Sequence, residues 1–143
     1  MPIRILLVDD HSKYRAAIRE MLEQEPDLEI VAEAGDGAGA IRLDAEKTPD
    51  VIIMDIAMAN LDGIEATRRI LARRPAARVL VLTLHSDTRF VEAMFEVGAV
   101  GYVLKQDCFA ELANAVREVA AGRTYFSPNI ASPIAPIDDG SAQ

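Results

Sequence analysis

Four short apolar runs along this chain each end on polar residues. Ile3-Arg4-Ile5-Leu6-Leu7-Val8 runs into Asp9 and Asp10, and Val51-Ile52-Ile53-Met54 runs into Asp55. Val79-Leu80-Val81-Leu82 ends on Thr83, and Val100-Gly101-Tyr102-Val103-Leu104 ends on Lys105. Short β-branched runs that alternate with helical stretches read as strands of a parallel sheet. The pattern predicts strands at 3–8, 28–34, 50–54, 78–82 and 100–104. Helical spacing fills the gaps. Residues 12–25 align Tyr14, Ile18, Met21 and Leu22 on one face, with Ser12 as the expected N-cap. Residues 37–47 are Ala-rich around Ile41 and Gly39, a weaker pattern. Residues 63–74 carry Ile64, Thr67, Ile70 and Leu71 and stop before Pro75. Residues 87–97 carry Phe90, Val91, Met94 and Phe95, and Gly98 follows. Residues 108–121 carry Phe109, Leu112, Ala113, Val116 and Ala120, with Gly122 at the C′ position.

The element order is that of an α/β protein: a (βα)5, doubly wound parallel sheet with right-handed crossovers and helices on both faces. For five such units the expected strand order is the flavodoxin-like 2-1-3-4-5, with the switch point between strands one and three. Parallel strands share one carboxyl edge, and ligands of open α/β sheets bind there. Asp9, Asp10 and Asp55 would then flank one crevice, with Thr83 and Lys105 beside it.

That set of side chains has a definite chemistry. Three carboxylates crowded together repel and raise one another's pKa, and a cation relieves the repulsion. Mg²⁺ takes oxygen ligands, commonly one or two carboxylates with waters. A carboxylate is also a nucleophile towards phosphorus and can form an acyl phosphate. Lys105 can supply a point charge and Thr83 a hydroxyl to phosphoryl oxygens.

Composition narrows the field further. The 143 residues fit one domain, and half are apolar. Fifteen basic against 23 acidic residues leave a net charge of −8, which opposes direct nucleic-acid binding. The densest basic stretch, Arg68, Arg69, Arg73, Arg74 and Arg78, reads as a solvated helix face. A lone cysteine, Cys108, forms no internal disulfide, and with no signal-peptide pattern a cytoplasmic location is expected. No apolar run approaches the roughly 18 residues needed to cross a bilayer. Residues 127–143 are punctuated by Pro128, Pro133 and Pro136 and read as a linker or disordered tail after a domain at 1–126. His11 and His85 read as loop residues rather than metal ligands.

The motifs resemble those of the receiver domain of bacterial two-component response regulators. The resemblance rests on Val8-Asp9-Asp10-His11, on Met54-Asp55 through Asp62-Gly63, on Leu82-Thr83, and on Gly98 through Lys105. It covers about residues 2–126. It implies that Asp55 accepts a phosphoryl group from a sensor histidine kinase. It further implies that Asp9, Asp10 and Asp55 hold Mg²⁺ together with the Ala57 backbone carbonyl. Thr83 and Tyr102 would be the switch pair and Lys105 the phosphate contact. Leu82-Thr83-Leu84-His85-Ser86-Asp87 and Ala120 through Pro128 are similar to regulators carrying a LuxR-type helix-turn-helix. No such motif follows here, so DNA would be reached through an output domain outside this chain, or the chain would act as a stand-alone receiver or as an interaction module that no longer relies on phosphorylation. The resemblance also implies a kinase docking near helix 12–25 and a homodimer through the first and last helices or the 87–121 face.

Two departures stand out. Ala59 and Asn60 occupy positions where the family commonly has Pro and Gly. Ala57 presents only a methyl group, with no polar atom to meet an attacking water. Rival classes are weaker on the residues. A phosphohydrolase of the aspartyl-phosphate type would carry an acid/base Asp at position 57, where Ala57 stands. A flavin binder would need a Ser/Thr/Gly-rich loop where Asp9 and Asp10 stand.

Overall fold

Alternation along each strand divides the core into two layers. In β1 (Ile3–Val8), Ile5 and Leu7 face one side of the sheet, and Leu6 and Val8 face the other. The same parity runs through β3 (Val51–Asp55), β4 (Arg78–Thr83) and β5 (Gly101–Leu104). Buried apolar residues on both faces are what a parallel sheet with helices on each side requires. The computed structural model describes residues 2–55, 61–83 and 88–128.

The first layer packs β-strand residues Ile5, Leu7, Ile53, Leu82 and Val103 against α1 (Ser12–Glu23) and α5 (Cys108–Ala120). The second packs Leu6, Val8, Met54, Val81 and Tyr102 against α2 (Gly37–Lys47), α3 (Leu61–Arg73) and α4 (Thr88–Val97). With β2 (Leu28–Ala34), the strand order is β2-β1-β3-β4-β5, every pair parallel, as the sequence predicts. A sixth strand, β6 (Tyr125–Phe126), pairs in parallel outside β5. Two residues carry no readable periodicity, which is why the apolar pattern passes over it. The packed chain continues one residue further. Ser127 is buried, its N–H donates to the Tyr102 carbonyl (2.8 Å), and its hydroxyl donates to Glu111 (2.8 Å).

Local chemistry accounts for the element ends. α2, the weakest pattern in the sequence, is started by Asp36, whose carboxylate accepts the Gly39 N–H at 2.8 Å. α1 begins at its expected N-cap, with Ser12 already helical and His11, one residue earlier, in the cap position. The Asp9 carboxylate accepts the His11 N–H (2.8 Å), a tight turn that starts the helix early. α4 ends on Gly98, whose φ of +111° suits glycine, and a β-carbon there would lie 2.9 Å from Leu71 Cδ1. Gly98→Ala is therefore expected to cost about 1–2 kcal/mol in urea unfolding, and a cost near zero would mean the turn relaxes freely. No helix among the described residues is long and apolar enough to cross a membrane.

Candidate functional site

Because β1 and β3 are neighbours, the ends of their apolar runs meet. Met54 pairs with Val8, so Asp9 and Asp55 extend past the same pair of residues. Asp9 and Asp55 share the parity of Ile5, Leu7, Val51 and Ile53, which places both on the α1/α5 side. Asp9 is 0% and Asp55 1% exposed, whereas Asp10 is exposed. One carboxylate oxygen from each of Asp9, Asp10 and Asp55 lies within 4.8 Å of the others.

Within this trio the electrostatic strain is seen at Asp9. Burial raises the Asp9 carboxyl to about 6, with the Asp55 carboxylate adding to the rise and the His11 N–H and Lys105 charge opposing it. Asp9 Oδ2 is buried with no hydrogen-bond partner. A buried, orphaned carboxylate oxygen on a residue clustered with two more carboxylates fits a hard divalent cation with oxygen ligands.

Lys105 closes the pocket from β5. Its ammonium donates to Asp55 Oδ2 at 2.8 Å and lies 4.4 Å from the centroid of the Tyr14 ring. The Tyr14 hydroxyl sits 3.2 Å from Cys108 Sγ at the start of α5. Burial pushes both the Tyr14 hydroxyl and the Cys108 thiol up, so both stay protonated at neutral pH. Arg15 is a further element the sequence reading missed. It donates to the backbone carbonyl of Asp9 and pairs with Glu33 of β2 (2.9 Å). This contact braces the acidic turn from the neighbouring strand.

Thr83 ends β4 and is buried. It pairs with Leu104, and Tyr102 pairs with Val81, so Thr83 and Tyr102 stand diagonally on adjacent strands. Strand parity puts both on the α4 side, opposite Asp55 and Asp9. Tyr102 is fully buried, donates to the Ala99 carbonyl (3.2 Å) and stacks on Phe126 with centroids 5.0 Å apart. Ala57, Ala59, Asn60 and His85 lie outside the described residues. Among the described residues, the cation-type cluster does not include His11.

A five-unit parallel sheet with carboxylates on β1 and β3 and a lysine at the end of β5 defines a receiver-type signalling domain. The chain belongs to the response regulator receiver domain family, whose pattern it matches over residues 5–117. It is 41% identical over 128 residues to the transcriptional regulatory protein DegU of Brevibacillus brevis, covering 90% of this chain and 54% of that protein. It is 39% identical to the transcriptional regulatory protein LiaR of Bacillus subtilis, covering 92% of this chain and 63% of that one. The chain thus spans a little over half to under two thirds of these curated relatives. Among solved structures, a LuxR-family two-component response regulator from Aurantimonas superposes with a TM-score of 0.84 at 44% identity. That match covers 90% of this chain and 91% of the other. The receiver domain of the putative regulator NarL from Mycobacterium tuberculosis gives 0.80 at 30% identity, covering 85% of this chain and 98% of that one.

Proposed function

We propose that this receiver domain takes a phosphoryl group on Asp55 from a sensor histidine kinase, in a Mg²⁺-dependent reaction, and passes the change on as a conformational switch. The observation that carries this reading is the contact of the Lys105 ammonium with Asp55 Oδ2 (2.8 Å), inside a cluster of three carboxylates. Asp9, Asp10 and Asp55, with the Ala57 carbonyl, would hold Mg²⁺, which when bound neutralises charge on the phosphoryl oxygens.

The residues of the chain do the rest. An Asp55 carboxylate oxygen attacks phosphorus, forming an acyl-phosphate bond, and the bond from phosphorus to the donor breaks with its electron pair leaving on the donor. Lys105, already hydrogen-bonded to Asp55, is placed to follow the new phosphoryl oxygens as a charge-assisted donor. Thr83 offers its hydroxyl from the next strand. The added charge and acceptor oxygens favour whichever state lets Thr83 reach them. Tyr102, diagonal to Thr83 on the same face, then reorients and reshapes the face made by α4, β5 and α5. Asp55 itself carries the phosphoryl group as the signal, so the domain acts as a phosphoacceptor rather than as a turnover enzyme. In the natural protein the switch would control transcription through a DNA-binding domain outside this chain, with homodimer formation as a step between. The alternative is a stand-alone receiver, or an interaction module that no longer relies on phosphorylation.

Incubation with acetyl phosphate and Mg²⁺, followed by peptide mapping, tests the assignment. One phosphoryl group on the peptide containing Asp55 is expected, and chelation of the cation is expected to prevent it. A phosphoryl group found elsewhere, or uptake indifferent to chelation, would overturn the reading.

A further inference from the structure

We propose that Tyr14 is a positioning residue that holds the Lys105 ammonium at Asp55 through the face of its ring. The proposal rests on the phosphoacceptor reading of Asp55. Lys105 lies between two attractive partners, the Asp55 carboxylate at 2.8 Å and the Tyr14 ring centroid at 4.4 Å. A lysine is a compact charge on a flexible four-carbon stem, and a single carboxylate leaves its approach loosely determined. The negative face of an aromatic ring adds a second point of attraction and restricts where the ammonium can sit. When phosphoryl oxygens replace the carboxylate as its partner, the ring still faces the charge.

The ring is itself fixed in place. Tyr14 is half-buried on the face of α1 that packs with Ile18 and Leu22. At its far end the hydroxyl meets Cys108 Sγ at 3.2 Å, and Cys108 is fully buried as the first residue of α5. The short 3-10 turn Lys105–Asp107 connects the lysine directly to that helix. Tyr14 therefore bridges α1 and α5 where the lysine leaves β5 and turns towards the pocket. Apolar packing alone would be served equally by a leucine, and this separates the two roles.

The test compares Tyr14→Leu and Tyr14→Phe with the wild-type chain, by the rate of phosphoryl uptake on Asp55 from acetyl phosphate at saturating Mg²⁺. Leucine keeps apolar bulk and removes the π face, whereas phenylalanine keeps the face and removes only the hydroxyl. Tyr14→Leu is expected to slow uptake about fivefold, and Tyr14→Phe to stay within about twofold of wild type. In a Lys105→Ala background, Tyr14→Leu is expected to change nothing further, because the ring acts through the lysine. Three results would each overturn the proposal: wild-type rates in Tyr14→Leu, an equal loss with and without Lys105, or Tyr14→Phe falling as far as Tyr14→Leu. A wild-type chain that takes no phosphoryl group on Asp55 sinks the phosphoacceptor reading and this proposal together, a pattern distinct from the other three because every variant is then silent.

Discussion

Asp55→Asn is expected to abolish phosphoryl uptake, lowering the rate by at least about a thousandfold, as removal of a nucleophile does. The amide has nearly the shape of the carboxylate, so the substitution tests charge and nucleophilicity rather than packing. Asp55 ends β3 in register with Leu82 of β4 and is 1% exposed, so its backbone position is set by the sheet rather than by its side chain. The variant is therefore expected to keep the wild-type circular dichroism spectrum. Intact-mass measurement after acetyl phosphate and Mg²⁺ treatment reads the result. Persistent labelling at the wild-type level would move the nucleophile to another residue.

The second large effect links pH, cation and stability through Asp9. Its carboxyl is raised from 3.8 to about 6 in the fold, chiefly by burial. Between those values the folded chain binds more protons than the unfolded one, so stability falls as pH rises through that window. Above about pH 6 the full penalty of an ionised, buried carboxylate is present, no more than about 3 kcal/mol. A cation at the acidic cluster offsets it. Mg²⁺ is thus expected to raise the melting temperature at pH 7 by several degrees and to do much less at pH 5, where protons already occupy Asp9. Asp9→Asn is expected to melt higher than wild type at pH 7 without Mg²⁺ and to lose most of the Mg²⁺ response. Thermal melts at the two pH values, with Mg²⁺ or with chelator, decide it. An equal Mg²⁺ response at both pH values would place the cation elsewhere.

The reading of this site from sequence depended on where strands stop. Asp9, Asp55 and Lys105 were legible because each follows an unbroken apolar run, and parallel order then brings the run ends to one edge. The expected spans of β1 and β2 match the structure, β3 and β5 start one residue later than expected, and the carboxyl ends of β3 and β4 came out short by one. β3 extends through Asp55 and β4 through Thr83, whose backbone pairs with Leu104. Hydrophobicity marks a strand only while its side chains are apolar, but the ladder bonds backbone and continues under a polar residue. Tyr14 was legible as a core-facing residue of α1 and not as a partner of Lys105, since nothing local links positions 91 residues apart in sequence. The turn at His11 was hidden for a similar reason, because it is set by the Asp9 carboxylate, a residue already assigned to another task. β6, two residues inside the expected domain, is too short to show a period, and Ser127 alone falls in a stretch whose serines and prolines read as tail.

That last stretch has a mechanical consequence. Phe126 lies flat against Tyr102, tilted by only 15°, while the Ser127 N–H holds the Tyr102 carbonyl and the Ser127 hydroxyl accepts the Leu104 N–H at 3.1 Å. Glu111 clamps the same residue from α5 and takes the Tyr125 hydroxyl as well. The described chain at 125–128 is thus fastened to the tyrosine at ring and backbone. A swing of that ring would have to break its stack on Phe126, so a torsion at Tyr102 and the backbone path of 125–128 are mechanically joined.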